Sequence, residues 1–281
     1  MAVSQKTLSL IRSRSEKQIK KKMKKPPIWF HPNAIEIEYR RVLYNLTRQL
    51  RKLIRENLLP RIPGMIVEVN SLTPEPSRGD DWRDELQGII LTISEAILPT
   101  VEQTITAMER IGLQISNYNH GQFNKINNSV FGVDIFINQP WLADQLELFA
   151  SQNSQLIKSL PSQELLQVAG IVERRLQEGR TTVVVEQDLI KRFGITRRRA
   201  KLIARDQTTK LNASLTKLRQ QELGVEEYVW QTAEDERVRS THRANNGKKF
   251  KWDNPPAITG HPGTDINCRC VALPVLEGVI D

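Results

Sequence analysis

The chain has 281 residues, 41 Lys and Arg against 32 Asp and Glu for a formal charge of +9, and 39% hydrophobic residues, enough for one large or two ordinary domains with a core that needs no disulfide staples. Its mean hydropathy of -0.44 and a longest apolar stretch, 88–98, that is broken by Ser94 and Glu95 exclude a spanning helix of ~20 apolar residues, so no membrane partner is expected. Two cysteines alone, Cys268 and Cys270, exclude a disulfide framework and point to a reducing cytosol.

The charge is unevenly placed. Residues 1–25 hold nine Lys or Arg against Glu16, and residues 174–219 hold thirteen against four acids, so the remainder is acidic. The first block, centred on Lys20, Lys21, Lys22, Lys24 and Lys25, is expected to form a basic tail over 1–33. It runs into Pro26-Pro27 with no apolar segment behind it, unlike a secretory signal. It reads either as a tail that binds a partner or as a solvated terminus.

Residues 34–59 repeat Ile35, Val42, Leu43, Leu46, Leu50 and Ile54 at helical spacing with arginines between them, which predicts an amphipathic helix ended by Pro60. Pro63, Gly64, Pro74, Pro76 and Gly79 predict a loop over 61–80, with a short extended piece at 65–69. A second helix is expected over 82–111, N-capped by Asp80 or Asp81, with Pro99 as a kink or boundary. The Asn-rich stretch 117–139 follows, with 131–136 as a short apolar insertion into the core. Helices over 141–160 and 162–177 are expected to join at Pro161, the second capped by Gly179. A short helix around 188–193 then turns at Gly194-Ile195-Thr196 into a long helix to about Leu223, with Thr196 as its N-cap. Arg197, Arg198, Arg199, Lys201 and Arg205 load the first half of that helix with positive charge, against its macrodipole. This is the outline of a helix-turn-helix, and equally the ordinary corner of a helical bundle. The basic residues of both blocks are the expected contacts to nucleic acid, through counterion release, or to an acidic protein surface.

Beyond Gly224, residues 225–232 alternate as a strand with Tyr228 and Trp230 on one face, and residues 268–276 form a second extended run. The expected fold class is α+β. A mainly helical domain spans 34–160, and a small C-terminal module with a short antiparallel sheet spans 161–281.

Four donor side chains gather near the C-terminus as H-x18-H-x6-C-x-C: His242, His261, Cys268 and Cys270. Two imidazoles and two thiolates make a complete tetrahedral zinc set, and a loop-rich segment with little core is where such a staple adds most. Cysteine pairs on zinc are usually separated by two to four residues. One intervening residue on a strand instead puts both sulfurs on one face, near the upper limit of a bridgeable separation. The alternative is that both thiols are small buried hydrophobes and both rings hold loop backbone. In that case Arg237 and Arg239 fix the loop through its carbonyls and Asp265. A nucleophilic cysteine near His261, flanked by Arg269, is a third reading. For it, Asp265 and Asn267 are orienting candidates by sequence proximity alone. No phosphate-binding loop, dinucleotide fingerprint, zincin motif or nucleophile elbow accompanies these residues.

The ordered runs Ala204 to Asn212, Glu234 to His242, Asn246-Gly247, Phe250, Pro255-Pro256, His261-Pro262-Gly263 and Asn267-Cys268-Arg269-Cys270 resemble the phage Mu F-type head morphogenesis family, over residues 165–276. The resemblance implies a minor head protein of a tailed phage or prophage. Such a protein is a low-copy component at the portal vertex, with the portal and other head proteins as partners and non-specific DNA as a further contact. It would serve capsid assembly and DNA packaging or ejection, sitting in the virion head and, during assembly, in the host cytoplasm. Asp235, Arg237, Arg239, Gly247, Pro262 and Arg269 carry over as structural residues of the motif. Some relatives carry a toxin or ADP-ribosyltransferase domain after this module; with eleven residues beyond Cys270, none is expected here. No enzymatic activity is expected. The alternatives are a toxin-like or hydrolytic module using the His/Cys cluster, and a DNA-binding protein using residues 188–210.

Overall fold

The computed structural model describes residues 29–71, 81–131 and 139–275. The basic tail with Lys20, Lys21, Lys22, Lys24 and Lys25, and nearly all of the apolar insertion expected at 131–136, lie outside the described residues. Among the described residues the order is α1 (Asn33–Asn57), a 3-10 turn (Leu59–Arg61), α2 (Ile62–Ser71), α3 (Asp81–Phe131), α4 (Leu142–Gln177), α5 (Thr182–Glu222), β1 (Glu227–Gln231), the single-turn α6 (Ser240–Arg243), β2 (Lys249–Lys251) and β3 (Val271–Pro274). The fold class is α+β, as the sequence predicts.

Helix α1 follows its pattern: Tyr39, Leu43, Leu46, Leu50 and Ile54 are buried along one stripe. Four local expectations give way to longer helices. Residues 62–71, expected as a loop with an extended piece, are α2. Pro63 sits in the first turn, where its missing N–H is one of the unpaired donors anyway, and Ile62 and Met65 are buried. Pro99 neither ends nor bounds α3, which continues through the Asn-rich stretch to Phe131. Pro161 lies inside α4 and does not separate two helices. An interior proline costs about 3 kcal/mol, which the continuous burial of Ile157, Leu160, Leu165 and Val168 offsets at about 1.5 to 3 kcal/mol per side chain.

The helix-turn-helix outline also gives way to a continuous helix. Gly194-Ile195-Thr196 is helical, and α5 is one element of 41 residues. Thr196 does not cap a helix; its hydroxyl donates to the buried carboxylate of Glu164, which Arg192 Nε also reaches at 2.7 Å. Gly179 does take the left-handed conformation expected of a C-cap, with φ +65°.

The described residues separate into two compact units built from non-consecutive segments. Of the described residues, one takes those within 37–109 and 150–204; the other takes 29–36, those within 110–149, and 205–275. The boundary anticipated near residue 160 falls inside α4.

The second unit holds the sheet, of order β2-β1-β3 and antiparallel throughout, with Tyr228 opposite Phe250 and Trp230 opposite Ala272. Tyr228 and Trp230 share one face, as the alternation predicts, and that face is turned inward against Trp252, Cys268, Cys270 and Ala272. The extended run 268–276 is shorter as a strand: β3 starts at Val271, leaving both cysteines in its approach. β2 is not anticipated by the sequence: it is only three residues long, Lys249–Lys251, too short for its alternation to stand out from the surrounding loop.

In the same unit a polar knot ties α5 to α3. Arg219, 1% exposed, donates to Asn119 Oδ1, to Ser116 Oγ at 3.0 Å and to Gln139 Oε1 at 2.9 Å. Asn119 Nδ2 in turn donates to Thr216 Oγ1 and to the Asn212 carbonyl. Burial pushes the Arg219 guanidinium down to about 10, and neutral acceptors carry its charge.

Candidate functional site

His242 reaches the core from α6, a turn closed by the Arg243 N–H on the Arg239 carbonyl. Gly247, at φ +76°, ends this excursion and donates its N–H to Trp230 O at 2.8 Å, returning the chain to the sheet. The expected motif residues hold the loop on the far side. Arg239 donates to Asp265 Oδ2 at 2.9 Å and to the Ile266 carbonyl at 2.7 Å. Arg269 pairs with Asp235, whose carboxyl is held below its ordinary range by that guanidinium. Arg237 is exposed, and its backbone N–H donates to Asp235 Oδ1.

These ties bring three of the four donor residues together. His242 Nδ1, Cys268 Sγ and Cys270 Sγ lie within 4.8 Å of one another, and all three residues are buried. Nδ1 is 3.5 Å from each sulfur, and the other ring nitrogen, Nε2, is 3.1 Å from Asp265 Oδ2. Both cysteines are free. Cys268 Sγ accepts the backbone N–H groups of Gly263 at 3.3 Å and Cys270 at 3.4 Å. The Cys270 thiol, against the opposing effect of burial, and these amides draw Cys268 below its ordinary range, while Cys268 and burial push Cys270 up. Of the two thiols, Cys268 is the more readily ionised.

His261 is not in this group. Its Nδ1 is 3.0 Å from the Tyr228 hydroxyl, and its ring packs 4.9 Å from that of Trp252. Burial, then the charge of Lys217, push it below its ordinary range, so it is a neutral wedge under the sheet. Pro262 beside it is buried.

A cavity of about 260 Å³ reaches His242, Cys268 and Cys270 and is lined by Arg205, Arg237, Arg239 and Arg269. Arg205 is also 3.4 Å from Glu36. The other basic residues belong to the helical unit. Arg197, Arg198 and Lys201 are exposed on α5, and Arg199 donates to Ser159 at 2.9 Å and to Gln163. In that unit Arg41, Arg48, Arg51 and Arg197 line a second cavity of about 490 Å³. The Arg197 guanidinium lies 4.7 Å over the Tyr44 ring, and that of Arg51 lies 5.2 Å over Phe193. Sequence reasoning read Arg41, Arg48 and Arg51 only as the polar side of α1; their meeting with Arg197 depends on packing between distant segments.

Comparison with known proteins agrees with the motif. Residues 167–273 match the family model described as Phage Mu protein F like protein, a span that contains every donor and ion pair of the C-terminal cluster. The chain is also 40% identical over 166 residues to an uncharacterized protein of Haemophilus influenzae. That alignment takes in 57% of this chain and 36% of the relative, so the chain spans little more than a third of the relative's length. No solved structure matches.

Proposed function

We propose that the chain acts in phage or prophage head morphogenesis, as a low-copy minor head component that docks on the portal and neighbouring head proteins. The observation that carries this reading is the family match over 167–273. It coincides with the part of the chain where Asp235, Arg239, Asp265 and Arg269 hold the loop to the sheet. The role is structural: these residues tie backbone together and present an arginine-rich surface. Its place is the virion head, reached by assembly in the host cytoplasm. Co-sedimentation of the full chain with purified portal, together with mass spectrometry of virions, tests it. Association with portal and a few copies per head are expected; no association at any assembly-like salt, with virions lacking the protein, overturns it.

The arginines around Tyr44 and Phe193, together with the exposed Arg198 and Lys201 on α5, favour a second contact of the same protein, with packaged DNA. That contact is electrostatic and blind to sequence, since it rests on charge with no reading element in a groove.

A further inference from the structure

We propose that His242, Cys268 and Cys270 bind a thiophilic divalent cation, Zn2+, with the fourth coordination position facing the cavity lined by Arg205, Arg237, Arg239 and Arg269.

The spacing of the three donors fits the ion. With Zn–S near 2.3 Å and Zn–N near 2.0 to 2.1 Å, a tetrahedral angle separates a nitrogen and a sulfur ligand by about 3.5 to 3.6 Å. Nδ1 of His242 stands 3.5 Å from both sulfurs.

The tautomer fits as well. Asp265 accepts only, so Nε2 carries the proton and donates to it at 3.1 Å. Nδ1 is left with one lone pair, and two thiols converge on it. A single lone pair satisfies one S–H donor well, whereas a cation placed between the three atoms satisfies all of them. Carboxylate to imidazole to metal is also the arrangement that orients and strengthens a histidine ligand. Arg239 in turn holds Asp265 in place.

Cys268 Sγ has two further N–H donors, from Gly263 and Cys270, the environment a metal-bound thiolate uses to spread its charge. On binding, two S–H bonds break, two Zn–S bonds form and two protons pass to solvent, leaving a neutral centre. The flanking arginines then favour water, hydroxide or a carboxylate in the fourth position. His261, committed to Tyr228, is outside the set, so the site has three protein ligands.

The test uses the full chain, reduced with a phosphine and stripped of metal. Titration with Co2+ is expected to give one equivalent of binding with thiolate-to-cobalt charge-transfer absorption, bleached when Zn2+ displaces the cobalt. Cys268→Ser and Cys270→Ser are expected to lose the band. Asp265→Asn is expected to keep it with affinity lowered about 10- to 100-fold, and His261→Ala to keep full stoichiometry. Absence of the band in the unsubstituted protein at saturating cobalt overturns the proposal even if the cysteine variants fail to fold. So does a band that survives the double serine substitution.

Discussion

Gly263 shows how a single position joins the loop to the helix beneath it. Its φ is +83°, and a Cβ there would stand 2.6 Å from the Cβ of Ala213. Its N–H is at the same time committed to Cys268 Sγ. Gly263→Ala is therefore expected to destabilise the protein by on the order of 2 to 4 kcal/mol, from backbone strain and overpacking together. Gly121→Ala, with open space around its Cβ, is the control that should leave the urea midpoint unchanged or raised. The turn at His261-Pro262-Gly263 is visible in the sequence because proline and glycine restrict or permit backbone angles locally. Its neighbour Ala213 lies fifty residues earlier, and no local pattern announces that pair. The donor set divides in the same way. His242, Cys268 and Cys270 are readable by residue type, whereas the diversion of His261 to Tyr228 follows from ring packing under the sheet.

At the scale of elements, breakers are weaker than a continuous buried stripe. Gly179 and Gly194 look alike in sequence, yet Gly179 has φ +65° while Gly194 is helical within α5, with only the tip of Arg198 near its Cβ position at 3.9 Å. Gly194→Ala is expected to stabilise by about 0.5 to 1 kcal/mol, and Gly179→Ala to destabilise by roughly 1 to 2 kcal/mol, read as opposite shifts of the thermal midpoint. A turn at 194–196 would instead make Gly194→Ala destabilising. Helix α1 and strand β1 are legible because their burial is one-sided and periodic. The through-running of α3 and α4 past Pro99 and Pro161 is not, because the proline penalty is local while the compensating burial is spread over distant partners.

At the scale of the whole molecule, charge is the property that composition reports faithfully, since it needs no fold to add up. The exposed Arg197, Arg198 and Lys201 give a measurable form to the proposed DNA contact. Each phosphate neutralised contributes about -0.9 to the slope of log K against log salt. Replacing these three by glutamine is expected to reduce the slope of non-specific duplex binding by up to about 2.7, with no change in preference between sequences. An unchanged slope in fluorescence anisotropy would place the contact elsewhere. Arg219 has a different kind of consequence, for how this chain can be divided or exchanged. Its acceptors Ser116, Asn119 and Gln139 come from a segment well upstream of the family match. A recombinant piece cut at residue 161 would inherit the guanidinium without them, losing the whole knot and the segment that covers it. Any heritable block therefore has to include both 110–149 and the chain from 205, and a swap that moves one without the other breaks it.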